Sequence, residues 1–147
     1  MTIEIKRLNR DDIQDWEALI NVFEEVFGMK NFLLPDRDYL QHLLDNQHFM
    51  VYVAAFGEEV VGGLTAYLLP SYYYQSSEVY IYDLAVSVPY QRKGTGRKLI
   101  DVLKTDCKKL GLKEVFVQAN TVDRKVLDFY HATGGSAEEV MHFYYPL

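Results

Sequence analysis

The spacing of apolar residues changes along the chain, and each change marks an element. Thr2 to Leu8 alternates apolar and polar, the period of a half-buried strand. Asn9 and Asp11 follow, either of which can cap a helix. Ile13, Trp16, Leu19, Ile20, Phe23, Val26 and Phe27 recur at helical spacing, and Gly28 ends the run. Pro35 and Asp36 open a second helix with Tyr39, Leu40, Leu43 and Leu44 on its buried face. Phe49–Phe56 and Val60–Leu69 read as strands joined through Gly57-Glu58-Glu59, a hairpin signal. Pro70 to Ser77 is a polar and aromatic loop that opens into a strand over Glu78–Val86.

The later part repeats the alternation of strand and helix. After Gly94-Thr95-Gly96 a helix places Leu99, Leu103, Cys107 and Leu110 inward and Lys98, Asp101, Lys104, Thr105 and Lys108 outward. Gly111 stops it. A short strand over Glu114–Ala119, a helix over Asp123–Thr133 and a final strand over Val140–Tyr145 complete the order β-α-α-β-β-β-α-β-α-β. No internal repeat, linker or low-complexity tract interrupts it. One mixed sheet flanked by helices, an α/β (α+β) domain spanning residues 1–147, is the simplest packing.

Composition narrows the classes of function. No run of about 18 uninterrupted apolar residues occurs, so no membrane span is expected. The N-terminus has the pattern of a strand rather than a signal peptide, and Cys107 is the only cysteine. Both features fit a reducing cytoplasm and exclude a disulfide framework or a thiolate metal cluster. The histidines show no ligand spacing, so no metal is assigned. A net charge of −6 argues against nucleic acid as partner and fits a cationic one, although acidity also serves solubility alone.

The chemistry concentrates between Glu78 and Arg97. The apolar strand Val79-Tyr80-Ile81-Tyr82-Asp83-Leu84-Ala85-Val86 runs through Ser87-Val88-Pro89-Tyr90 into Gln91-Arg92-Lys93-Gly94-Thr95-Gly96-Arg97 and then a helix. Free N–H groups and the positive dipole end of a helix start attract phosphate. Gly94 and Gly96 let the backbone approach a pyrophosphate, and Arg92, Lys93 and Arg97 add charge. Neither G-x-x-x-x-G-K-[ST] nor G-x-G-x-x-G is present, which disfavours an ordinary nucleotide-binding domain.

Gln91-x-x-Gly94-x-Gly96 instead resembles the Q/R-x-x-G-x-G/A loop of the GNAT (GCN5-related) acetyltransferases. The resemblance covers nearly the whole chain. Gly62 to Pro70, Glu78 to Val86, Val117-Gln118-Ala119 and Glu138-Glu139-Val140-Met141-His142-Phe143 are similar to the aminoglycoside (gentamicin) 3-N-acetyltransferases. Acidic segments of those enzymes are replaced by Met29 to Leu34 and by Tyr72-Tyr73-Tyr74, Asn120 to Arg124 is less acidic, and Tyr144-Tyr145 stands in place of tail acids. These departures concern the acceptor and leave the acetyl-CoA site untouched.

The resemblance implies a splayed, V-shaped gap for acyl-CoA beside a bulged strand. It implies that Leu84 and Val86 bond the pantetheine through their backbones, with an N–H near Leu84 or Ala85 on the thioester carbonyl. Gln91, Arg92, Lys93, Gly94, Thr95, Gly96 and Arg97 would hold the pyrophosphate. Asn120 either bonds the pantetheine or merely terminates its strand. Tyr130 either protonates the departing thiolate or packs as an aromatic core residue. Asp83, placed one residue before the expected bulge, is either the proton acceptor for the substrate ammonium or a surface acid. Glu138 and Glu139 either bind the substrate cation or stand solvated. His142 is expected as a satisfied structural residue, and Cys107 as core rather than nucleophile.

The function expected is therefore transfer of the acetyl group of acetyl-CoA to a primary amine of an aminoglycoside, by direct attack in a ternary complex. A polyamine, an amino-acid-like metabolite or a peptide or protein amine is the alternative acceptor. A non-catalytic acyl-CoA-binding module is the other class. The aromatic tail and loop suit either a homodimer contact or the lining of the acceptor cleft.

Overall fold

The computed structural model describes residues 2–147. A five-stranded sheet runs in the order β1 (Ile3–Arg7), β2 (Phe49–Phe56), β3 (Glu59–Pro70), β4 (Ser77–Val86), β5 (Glu114–Val117). β1 to β4 pair antiparallel, and β4 pairs parallel with β5. The helices are α1 (Ile13–Phe27), α2 (Arg37–Asp45), α3 (Thr95–Lys109) and α4 (Arg124–Ala132).

Helix and strand periods meet on the two faces of the sheet. Trp16, Leu19, Val22 and Phe23 of α1 and Leu40 of α2 pack on Phe49, Val51, Val53 and Ala85. On the opposite face, Leu99, Leu103 and Cys107 of α3 pack on Met50, Tyr52, Leu64, Val79, Ile81 and Val86. β2 thus reads apolar throughout because both its sides are covered. Cys107 is core, as expected.

The crossing of α1 over β3 depends on glycine. A Cβ on Gly63 would meet the Tyr52 carbonyl and lie 2.6 Å from a Leu19 methyl, and one on Gly62 would lie 2.8 Å from the Ala85 carbonyl. Only glycine allows α1 and β4 to come so close to β3.

Three expectations fail. Tyr39 is 61% exposed, because only the Leu40, Leu43 and Leu44 stripe of α2 meets the body. Leu110 sits at the C-cap of α3, past the last inward turn, and Leu112 packs against that core instead. The final strand over Val140–Tyr145 does not form. Gly134, at φ +97°, and the Gly135 N–H bonded to the Tyr130 carbonyl end α4. The following residues, 136–147, pair with no strand and are exposed. His142, expected to be structurally satisfied, stands in this tail, its ring 6.3 Å from that of Tyr144.

Candidate active site

β4 changes character at one residue. Thr65 of β3 pairs with Asp83 while its neighbour Ala66 pairs with Ile81, so Tyr82 is an extra residue, a β-bulge. The bulge lies one residue before Asp83, whereas the sequence reading put it after. A one-residue slip exchanges the faces of a strand. Val79 and Ile81 point into the α3 core, and regular alternation would send Asp83 and Ala85 there too. Past the bulge, Leu84 and Val86 take the α3 side and Ala85 packs with the α1 core. Asp83 thereby faces the α1 side, where a hydrophobic strand pattern alone would have buried it in the other core.

On that side Asp83 closes a cavity of about 190 Å³ together with Trp16, Phe49, Thr65, Tyr67 and Tyr82. The rings form a continuous row. Trp16 and Phe49 stand 5.7 Å apart, Phe49 and Tyr67 4.8 Å, and Tyr67 and Tyr82 5.7 Å edge to face. The Trp16 indole N–H is buried with no acceptor among the described residues. A larger, open hollow of about 590 Å³ beside Arg7, Asn9 and Asn46 contains none of the candidate residues.

Among the described residues no donor reaches the Asp83 carboxylate, and burial pushes its pKa above the ordinary carboxylate value. Tyr130 of α4 is pushed up to about 12, first by burial and then by the charge of Asp83. The Tyr67 phenol is also raised, by burial first and then by Tyr82, Tyr39 and Asp83. The site therefore holds one carboxylate that is a better base than usual, beside phenols that keep their protons.

The same strand borders a gap. β4 and β5 last pair at Ile81 and Val117, leaving Tyr82 to Val86 without a neighbour on that side. The Ser87 N–H bonds the Val61 carbonyl of β3. Backbone groups alternate along an antiparallel strand, so Asp83 and Ala85 face β3, while Leu84 and Val86 turn N–H and carbonyl toward the gap. The Gln91 side-chain amide already donates to the Val86 carbonyl at 2.8 Å, so Gln91 secures the end of β4.

The basic loop then turns into α3. Arg92 has φ +60° and Gly94 φ +82°, two left-handed residues around Lys93. Such a turn costs about 1–2 kcal/mol at a non-glycine residue and is the kind that aims successive N–H groups at an anion. No side chain caps α3, and nothing lies within 4 Å of a Cβ built on Gly94. Gly94 therefore answers a backbone angle and leaves open space outside. Gly96 answers crowding, because its Cβ would lie 2.9 Å from the Phe129 ring of α4.

The charged and polar candidates divide. Arg92 and Lys93 are exposed at the loop, with Lys93 Nζ 5.8 Å from the Tyr90 ring centroid. Arg97 is committed elsewhere, donating to the Ala132 carbonyl at the end of α4. Thr95 is buried. The Asn120 Oδ1 accepts from the Val122 N–H at 3.1 Å, building the turn before α4 and leaving its amide N–H groups free. Glu138 and Glu139 stand in the exposed tail and make no hydrogen bond or ion pair among the described residues. Asp83, Tyr130, Leu84 and Val86 come together; the two glutamates do not join them within one chain.

The aromatic wall was missed by the sequence reading, which took Trp16 as part of the apolar stripe of a helix and Phe49, Tyr67 and Tyr82 as strand residues. Tyr82 is 61% exposed in the middle of an apolar strand, on the face opposite Ile81.

The residues present suit a pyrophosphate-bearing thioester: a left-handed basic loop, an uncapped helix start and an unpaired strand edge lie in sequence. Comparison with known proteins agrees. Residues 13–134 match the acetyltransferase (GNAT) family. An aminoglycoside acetyltransferase from an uncultured soil metagenomic sample, meta-AAC0020, is 46% identical and superposes with a TM-score of 0.97 over 99% of this chain and 96% of its own. Its structures include complexes with trehalose and with sisomicin. A second soil metagenomic aminoglycoside acetyltransferase, HMB0005, is 33% identical, with a TM-score of 0.90 over 100% of this chain and 99% of its own. AAC(6')-Iy in complex with a bisubstrate analogue shares the fold at 16% identity and a TM-score of 0.81, over 100% and 99% of the two chains. No curated protein sequence matches. The chain belongs to the GNAT acetyltransferase family.

Proposed function

We propose that this protein transfers the acetyl group of acetyl-CoA to a primary amine of an aminoglycoside by direct attack in a ternary complex. The observation that carries this is the bulge at Tyr82, which turns Asp83 into an aromatic cavity beside the open edge of β4. The 46%-identical meta-AAC0020 and its sisomicin complex support the choice of acceptor.

Acetyl-CoA supplies an activated thioester carbonyl. Arg92, Lys93 and the free N–H groups at the start of α3 hold its pyrophosphate, with Gly94 giving the backbone room. The strand-edge groups of Leu84 and Val86 align the pantetheine, and the Asn120 amide adds a donor. The Leu84 N–H is the free donor nearest the bulge and polarises the carbonyl; the Ala85 N–H is taken by the ladder. An alkylammonium of pKa about 10 is only about 0.1% neutral at pH 7. Asp83 takes its proton, and the tyrosine faces of the cavity stabilise the remaining cationic groups. Tyr130, held at about 12, donates a hydrogen bond to the departing sulfur and keeps its proton until negative charge has built there. The protein acts in the cytoplasm on a small molecule.

A second reading has a specific support. Asp83 is the one acid lining the cavity, and about 190 Å³ is small for a whole polycationic drug. A compact amine such as a polyamine end or an amino-acid-like metabolite fits that volume better. Release of CoA thiol, measured with gentamicin, spermidine and a short peptide in the same buffer, decides between them. A gentamicin kcat/KM well above the others, falling with added salt, supports the aminoglycoside. Inert gentamicin beside another active amine overturns it. Asp83→Asn lowers kcat more than it raises KM if Asp83 moves the proton; an unchanged kcat removes that role.

A further inference from the structure

The cavity beside Asp83 has a deep end that proton transfer does not use. Trp16, Phe23 and Phe49 are buried there, whereas Met29 and Tyr82 are exposed at the opening. Ile20 of α1 and Leu43 of α2, both half-buried, complete the far wall. Met29 reaches the opening because Gly28, at φ +63°, turns the chain back at the end of α1, and the Met29 N–H bonds the Glu24 carbonyl. Among the described residues Asp83 is the one charged group of the lining, and Thr65, its partner across the ladder, is the one aliphatic hydroxyl. A second ammonium, a carboxylate or a ring of hydroxyls would lose its water against that wall and find few partners. An alkyl or aromatic body would lose nothing polar and would bury its surface.

We infer that this cavity selects a primary monoamine carried on an apolar body the size of one aromatic ring, with the ammonium on Asp83 and the body among Trp16, Ile20, Leu43 and Phe49. Size supports this. An apolar cavity of about 150 Å³ takes up benzene, and about 190 Å³ adds room for a short alkyl arm. The arrangement of the wall supports it too. The rings of Trp16, Phe49, Tyr67 and Tyr82 follow one another with planes tilted by 59°, 46° and 76°. Edges and faces therefore alternate along the row, and a guest ring finds a complementary edge or face. A polyamine brings a second charge and an amino-acid-like metabolite a carboxylate, and neither has a partner in the lining. An aminoglycoside can present one amine to Asp83 and leave its remaining rings outside, so the apolar amine is an added class of acceptor. In turnover the neutral nitrogen bonds the thioester carbon and the C–S bond breaks. One nitrogen proton passes to Asp83 and on to water, and a second reaches the sulfur, giving the amide and CoA thiol. Turnover rests on the acetyltransfer reading; binding of the amine does not.

Trp16 is the only tryptophan and lines the cavity, so its fluorescence reports occupancy without any chemistry. Phenethylamine should change that emission saturably and bind at least about tenfold more tightly than spermidine or ethylamine, which carries the same ammonium without the ring. Equal affinities overturn the inference, as does binding seen by calorimetry that leaves the Trp16 emission unmoved. Leu43→Asp sets a second carboxylate in the far wall. With the circular dichroism spectrum intact, it should weaken phenethylamine at least about tenfold and spermidine not at all. An unchanged phenethylamine affinity overturns the inference, and if this variant does not fold, the three amines on the intact protein decide alone. With acetyl-CoA present, release of CoA thiol should give phenethylamine a kcat/KM at least about tenfold above that of spermidine. Turnover of gentamicin with phenethylamine inert overturns the inference and leaves the acetyltransfer reading standing. If no amine is turned over while Trp16 still reports selective binding, the acetyltransfer reading fails and the selection for an apolar body stands.

Discussion

Two regions of this protein solve the same problem differently. From β1 to α3 the sheet has a packed core on each face, with β2 covered on both, and glycines at 62 and 63 bring backbones closer than any side chain permits. From β5 onward side chains are at most half-covered, as Val115 and Val117 are by the α3 core, and the tail is exposed throughout. The glycine loop and Asp83 belong to the first region; Tyr130 and the two tail glutamates belong to the second. The glycine loop and Asp83 thus rest on a firmly packed frame, whereas Tyr130 and the tail glutamates rest on parts with less cover. Rigid support favours precise alignment of a thioester, and a loosely held rim lets acceptors change without rebuilding the frame.

The sharpest test of this contrast is Gly63→Ala. Its Cβ meets the Tyr52 backbone carbonyl and the Leu19 side chain, and the expected loss is about 3 kcal/mol or more, since overpacking against backbone cannot relax. Urea unfolding measures it, and a loss below about 1 kcal/mol would mean the frame is softer than described.

Gly94→Asp comes next. It brings a carboxylate to the open face of the loop and strains a left-handed position. Acetyl-CoA affinity should drop about 100-fold, near 2.7 kcal/mol, by calorimetry, with the circular dichroism spectrum unchanged. Equal affinity would move the phosphate site away from this loop.

Tyr130→Phe probes the loosely covered half. The ring stays and the donor goes, so kcat should fall about 10- to 100-fold with acetyl-CoA affinity unaltered. The effect is put at the low end because a phenol held at about 12 gives a hydrogen bond more readily than a proton. If kcat is unmoved, Tyr130 is a packing residue.

The smallest effect expected is on stability at Asp83. Its folded pKa lies above the unfolded one because burial disfavours the charge. The folded state therefore binds the proton more tightly, and stability is lost as pH rises through the folded value. Asp83→Asn should be more stable than the parent near pH 8, and the difference should shrink on acidification below the usual carboxylate range. Thermal melts at the two pH values report it. An equal difference at both would show that the charge is not what strains the fold.

How much of this was legible beforehand varies with the residue. The elements from Ile3 to Lys109 follow from local periodicity, because each buries its apolar side against a neighbour inside the same chain. The turn into α3 was equally readable, since Gly94 serves a backbone angle that few other residues adopt. Gly96 was read for the same reason but also serves Phe129, a contact made across 33 positions of sequence that no local pattern reveals. Val140 to Tyr145 was read as a strand from composition. The pattern fixes what the tail is suited to, and it says nothing about which edge receives it.

By itself the sequence determined the order of elements, the two-sided burial of the sheet and the glycine loop, all of which are short-range consequences of residue type. Tertiary structure decided the chemistry of Asp83. An added residue at Tyr82 reverses every side chain after it, so an acid due for the α3 core opens instead into a cavity walled by Trp16, Phe49 and Tyr67. Bulges are set by pairing between strands, here Thr65 with Asp83 and Ala66 with Ile81. That pairing is a property of two segments together, and neither segment carries it alone.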